Sequence, residues 1–220
     1  MNRLQECKIT LAGDTSVGKT ALFTSLVNHF RNEKFVDINI SSQPTIGAAY
    51  MCSSSLLKNR SYGEFACKIN WWDTAGHERF RSLTPCYFRG SDLILLCYDL
   101  SRIETLNNLY NDENTFSWYN YAKEYSPDTK FLIVGCKCDT VKNEKKVKIE
   151  NIIHEKCSSL TGSGIRSLSS SIVKTLYGNS TSIVRPLQSS EMNTSMGCVS
   201  LLREGKKKTK RTCPTTCTII

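Results

Sequence analysis

Gly13-Asp14-Thr15-Ser16-Val17-Gly18-Lys19-Thr20 is the stretch on which the reading of this chain turns. It fits G-x-x-x-x-G-K-[ST] in full, and it stands where that pattern has physical meaning, after one apolar run and before an amphipathic one. The preceding Cys7 to Ala12 reads as a strand. The following Leu22, Phe23, Leu26, Val27 and Phe30 recur at helical spacing. Glycines let backbone N–H groups curl around phosphate oxygens, and the opening helix adds its partial positive charge. Lys19 is expected to reach β- and γ-phosphates and the Thr20 hydroxyl to ligate Mg²⁺, so Gly13, Asp14, Thr15, Ser16, Val17, Gly18, Lys19 and Thr20 form a candidate phosphate site.

Working outward, apolar runs alternate with amphipathic stretches from residue 6 to about 177. Phe65 to Trp72 reads as another strand. Leu93 to Leu100 and Phe131 to Cys136 are nearly unbroken apolar runs, as central parallel strands covered on both faces require. Ile165, Leu168, Ile172 and Leu176 mark one face of a last helix. The expected fold is a three-layer α/β P-loop NTPase domain over residues 1–177, built on a mostly parallel six-stranded sheet. Residues 178–220 read as a flexible tail, because Ser, Thr, Asn and Gln dominate its first part and leave little apolar surface to offset chain entropy.

Composition narrows the classes. Of 220 residues, 40% are hydrophobic and 22% charged, which suits a globular core and excludes collagen-like or globally disordered chains. No apolar run approaches a membrane-spanning length, and the N-terminal residues lack a signal-peptide core, so the expected location is cytosolic. The 11 cysteines are odd in number and scattered, which argues against a disulfide framework; Cys136 and Cys138 are too closely spaced for the usual zinc knuckle. Net charge is +9, and +5 of it falls within Arg203 to Arg211, so the tail calls for an anionic partner.

The phosphate loop does not choose between ATP and GTP. Trp72-Asp73-Thr74-Ala75-Gly76-His77-Glu78-Arg79-Phe80 resembles the WDTAGQERF segment of Ras-superfamily small GTPases, specifically the Rab family. Tyr87-Phe88-Arg89-Gly90-Ser91 is similar to its YYRGA, and Pro44-Thr45-Ile46-Gly47-Ala48-Ala49-Tyr50 to its first switch. The resemblance implies a GTP/GDP switch in vesicle trafficking that works with effectors, an exchange factor and a GTPase-activating protein, and it implies no nucleic-acid partner. Asp73 and Thr45 would join Thr20 around Mg²⁺, and the Gly76 N–H would meet the γ-phosphate. Loss of that phosphate would free both loops. Ile46, Tyr50, Trp72 and Tyr87 fall where effectors are read.

Several positions depart from the family pattern. Cys136-Lys137-Cys138-Asp139 stands for N-K-x-D: Asp139 can accept from guanine N1–H and its exocyclic amine, Lys137 can lie along the base, and Cys136 replaces the Asn that ties base to phosphate loop. Ser158, Ser159 and Leu160 stand for S-A-K. Only 19 positions separate Asp139 from Ser158, while 26 separate Lys19 from Thr45, so Phe30 and Phe35 both compete for the base-stacking role. His77 replaces the Gln that orients water, which implies slow hydrolysis; Gly76, His77 and Lys19 are the catalytic candidates. A non-hydrolysing GTP-loaded scaffold and, more distantly, an ATP-dependent P-loop enzyme are the alternatives.

The tail ends Cys217-Thr218-Ile219-Ile220, an imperfect C-a-a-X in which Cys217 is the expected prenylation site and Cys213 a second acylation candidate. One chain alone attaches marginally. The basic cluster would add up to roughly 5 kcal/mol at an anionic leaflet, less under salt screening. The expected location is then the cytoplasmic face of intracellular membranes, with a cytosolic pool.

Overall fold

In the computed structural model the described residues are 4–32, 45–110, 116–141 and 152–188. Strand β1 (Gln5–Ala12) leads through the phosphate loop into α1 (Lys19–Arg31). A hairpin follows, β2 (Ala48–Asn59) and β3 (Gly63–Thr74). Next come a 3₁₀ turn (Glu78–Leu83), α2 (Thr84–Phe88), β4 (Leu93–Asp99), α3 (Ile103–Asn107), α4 (Trp118–Tyr125) and β5 (Lys130–Cys136). A short 3₁₀ turn (Cys138–Thr140), β6 (Ile153–Lys156), α5 (Ile165–Tyr177) and β7 (Thr181–Pro186) complete the described chain.

One sheet carries all the strands in the order β6-β5-β4-β1-β3-β2-β7. From β6 to β3 every neighbouring pair is parallel, whereas β2 runs antiparallel to both β3 and β7. The unbroken apolar character of β4 follows from this burial. Leu93, Leu95 and Cys97 pack with α1 and α5 on one face, and Ile94, Leu96 and Tyr98 pack with α2, α3 and α4 on the other. The stripe Ile165, Leu168 and Ile172 of α5 is buried beside Leu22, Leu26 and Phe30 of α1. Because the parallel strands point the same way, the loops after Ala12, Thr74, Asp99, Cys136 and Lys156 all open at one edge, the edge where open α/β sheets hold ligands.

Among the described residues the sheet has seven strands rather than six. The extra one, β7, falls in the segment whose polar composition reads as linker. An edge strand needs a partner edge more than it needs apolar length, and the outer edge of β2 supplies one. Ile183 packs against the core, Thr181 is buried, and Asn59 Nδ2 donates to Thr181 Oγ1 at 2.7 Å. Leu187 N–H continues the pairing to the Ser54 carbonyl. Strand β2, with three consecutive serines, likewise lacks a legible pattern, yet pairs along its whole length with β3. Phe35, the basic cluster, Cys213, Cys217 and most of the shortened span between Asp139 and Ser158 lie outside the described residues.

Candidate nucleotide site

The phosphate loop sits at the carboxyl edge between β1 and α1. Gly13 takes a φ of 143°, and a Cβ there would overlap the Cys97 carbonyl, so only glycine permits this packing against β4. Lys19, 6% exposed, donates from Nζ to the carbonyls of Gly13 at 2.8 Å and Asp14 at 2.6 Å. Burial pulls its ammonium below the ordinary lysine range, against the opposing pull of the Asp73 charge. A cation held at low dielectric attracts phosphate oxygens far more strongly than one in water.

Asp73, next to last in β3, is fully buried. Its Oδ2 accepts from Thr20 Oγ1 at 2.6 Å, and the Thr45 hydroxyl lies 3.1 Å from the same Thr20 oxygen. Oδ1 has no hydrogen-bond partner among the described residues. Burial raises the Asp73 carboxyl, while the Thr20 bond, the Lys19 charge and Thr45 work against that rise. An orphaned buried carboxylate oxygen beside two hydroxyls is a set of hard oxygen donors. It fits Mg²⁺, which prefers such ligands and keeps waters and phosphates in its remaining positions.

The two switch segments meet here. Ala75 N–H donates to the Gly47 carbonyl at 2.9 Å. Gly76 lies so near that a Cβ would overlap the Asp14 carbonyl and Lys19 Nζ. His77 does not join this convergence: its Nδ1 accepts from Arg79 N–H at 3.4 Å, so the ring is held within its own turn. Beyond it, Tyr50, Trp72 and Tyr87 form a continuous aromatic run, with ring centroids 5.0 and 5.6 Å apart. Tyr50 is 49% exposed and Ile46 81%, so this face meets solvent with large apolar groups, as recognition surfaces do.

The base side is assembled by three loops. Lys137 adopts a left-handed φ of 61°, and its Nζ donates to the Ser16 carbonyl at 2.8 Å and to Asp99 Oδ2 at 2.7 Å. Cys136 is buried beneath Gly18. Asp139 is exposed and its carboxylate bonds to no described residue. Ser158 is buried and caps its turn by accepting from Thr161 N–H, Ser159 is half-buried, and Leu160 is exposed; Cys138 N–H to the Cys157 carbonyl joins their loop to that of Asp139. Phe30 is removed from the contest for the base: it is 1% exposed and packs on Trp71 in the core.

Sequence reasoning missed Asp99 and Arg102. Asp99 ends β4 almost fully buried, accepts from Lys137 and, at 3.1 Å, from Arg102 Nε, while Arg102 also donates to the Thr15 carbonyl at 3.4 Å. One carboxylate thus ties two cations to consecutive phosphate-loop carbonyls, across the position where Cys136 lacks an amide. A lone acid closing the apolar run Leu93 to Asp99 was the available signal.

The family model for the Ras of Complex, Roc, domain of DAPkinase matches residues 8–139. That stretch contains the phosphate loop, both switch glycines, Asp73 and Asp139, in the order and geometry just described. The chain belongs to the Ras of Complex (Roc) family of Ras-like GTPase domains. It is 38% identical over 139 residues to Ras-related protein Rab-22A of Homo sapiens, covering 63% of this chain and 62% of that protein. Against Ras-related protein Rab-31 of Rattus norvegicus it is 38% identical over 140 residues, 63% of each. It is also 32% identical to Rho-related GTP-binding protein RhoE of Homo sapiens over 63% of this chain and 49% of that protein. The chain thus matches somewhat under two thirds of the Rab relatives' length, and the Ser158–Leu160 turn lies beyond the stretch that the family model matches.

The Asp99 tie of this Ras-like GTPase domain should be visible as pH-dependent stability. Burial pushes its carboxyl up, but hydrogen bonds from Lys137 and from Ser101, with the Lys137 charge, outweigh that and bring it down to about 2. A carboxylate depressed on folding stabilises the fold above the ordinary carboxylate range and loses that contribution as pH falls through its folded value. Asp99→Asn should therefore lower unfolding stability by on the order of 2 kcal/mol near neutral pH. The gap to wild type should close between about pH 4 and pH 2. Urea midpoints of both proteins across that window check this; a gap independent of pH would show that the charge is not what matters.

Proposed function

We propose that this chain is a Rab-type GTP-binding switch of membrane trafficking that cycles between GDP- and GTP-bound forms with slow intrinsic hydrolysis. The observation that carries the reading is the convergence of buried Lys19, Asp73 Oδ1 with no partner among the described residues, the Thr20 and Thr45 hydroxyls and Gly76 at the sheet edge, with an exposed Asp139 carboxylate on the base side. Lys19 exchanges its bonds to Gly13 and Asp14 carbonyls for β- and γ-phosphate oxygens, while the Gly76 N–H and Thr45 hold the switch segments only when the γ-phosphate is present. Mg²⁺, held by Thr20, Thr45 and Asp73, would neutralise charge between the β- and γ-phosphates. Effectors then read Ile46, Tyr50, Trp72 and Tyr87, whose exposure depends on those segments, and exchange and activating proteins set the timing.

Asp139 decides the nucleotide. Its carboxylate accepts two guanine donors that adenine cannot supply. Lys19→Ala should abolish nucleotide binding, and Asp139→Asn should shift preference from guanine to xanthine nucleotides in competition assays. Unchanged guanine preference in Asp139→Asn would overturn the assignment of the base site.

His77 bears on the rate. Positioning water and stabilising charge are nearly all that a protein contributes to phosphoryl transfer. An imidazole engaged with Arg79 offers neither the reach nor the paired donor and acceptor of a glutamine amide. The same observation supports the second reading, a GTP-loaded scaffold that does not turn over without a partner. Single-turnover hydrolysis of bound GTP separates the two. His77→Gln should raise that rate severalfold; no gain would remove His77 as the cause.

Membrane attachment is assigned to the tail, through prenylation at Cys217, with the basic cluster and Cys213 in support. In membrane fractionation, Cys217→Ser should move the protein to the soluble fraction. Equal pelleting of both proteins at low and high salt would refute a prenyl anchor.

A further inference from the structure

Asp14, the second residue of the phosphate loop, is gripped from the side of α3 and α4. Trp118 Nε1 donates to Asp14 Oδ1 at 2.7 Å, and Asn108 Nδ2 donates to Oδ2 at 2.7 Å. The two donors are tied to each other, since Trp118 N–H donates to the Asn108 carbonyl at 3.1 Å. Trp118 is 1% exposed, so its indole N–H has no recourse to water and relies on the half-buried Asp14 carboxylate. The Asp14 backbone is constrained as closely, because its carbonyl accepts from Lys19 and Gly76 lies against it.

The same helix end touches the second switch. The Arg81 guanidinium stacks over the Phe116 ring at 3.5 Å and lies 5.9 Å from that of Trp118. Phe116 meets Trp118 edge-on at 5.1 Å, and Tyr121 Oη donates to the Arg81 carbonyl at 3.0 Å. Trp118 is a core aromatic at the start of α4, and its indole N–H has a polar task.

We infer that Trp118 is a positioning residue of the nucleotide site: its indole N–H, with Asn108, fixes the Asp14 carboxylate and hence the phosphate-loop backbone, on a support shared with Arg81 of the second switch. The inference rests on the nucleotide-site reading above. A bond from a buried donor to a carboxylate is among the stronger kinds, and deleting the donor leaves Asp14 Oδ1 without the partner that orients it. The consequence falls on the loop that cradles the β-phosphate, not on the base pocket.

Trp118→Phe keeps a ring in place and removes the donor. GDP dissociation should quicken by about tenfold, while affinity for GMP, which has no β-phosphate, should change less than about twofold. Asn108→Ala should show the same split, and serves if Trp118→Phe fails to fold. The second arm needs no nucleotide: among the 3 tryptophans, the ¹⁵N-indole resonance of Trp118 should move on Asp14→Asn, while that of Trp71, bonded to Ser53, stays in place. Equal weakening of GDP and GMP would reduce Trp118 to packing and overturn the inference, as would an indole resonance indifferent to Asp14→Asn. If wild type shows no guanine preference, the proposed function fails while the indole arm still decides whether the clamp exists.

Discussion

Two opposite charges buried near each other, one at the start of α1 and one near the end of β3, govern this molecule. Lys19 is surrounded by carbonyls and Asp73 keeps one oxygen with no partner among the described residues; they feel each other's field, yet no hydrogen bond between them relieves either. Burying a charge without a full set of partners is costly. The remedy is a ligand that brings negative oxygens to the ammonium and a hard cation to the carboxylate, which describes a Mg²⁺–nucleoside polyphosphate. The neighbouring loops keep that pair from relaxing into an ordinary ion pair.

They do so by tying the phosphate loop down at successive residues. The Asp14 side chain is held by Trp118 and Asn108, the Thr15 carbonyl by Arg102 and the Ser16 carbonyl by Lys137, with Asp99 anchoring both cations. A rigid cradle avoids the entropy that ordering a loose loop around a ligand would cost. The Asp99 bridges run beside buried Cys136, so the tie between these loops is electrostatic. Charge-assisted bonds are the stronger kind, but they respond to pH and salt where an amide would not.

The chain by itself determined the architecture and half of the site. The phosphate loop is legible because its chemistry is local: glycines, one lysine and one hydroxyl, contiguous between a strand and a helix, suffice to cradle a phosphate. The central strands β4 and β5 are legible because burial on both faces leaves an unbroken apolar run. Edges are another matter. Strands β2 and β7 carry serine, threonine and proline and become strands because each finds an open edge to pair with, a fact that no window of their own residues contains. The same limit applies to function. Whether Phe30 stacks on a base or fills the core depends on where Trp71 stands. Arg102, Asn108 and Trp118 become site residues only because the fold delivers them to a loop that lies 87 to 104 positions away in the chain. Local chemistry is written in neighbouring residues; polar ties across a sheet edge are decided by tertiary contacts, because a donor acquires a role only from the acceptor that the fold sets opposite it.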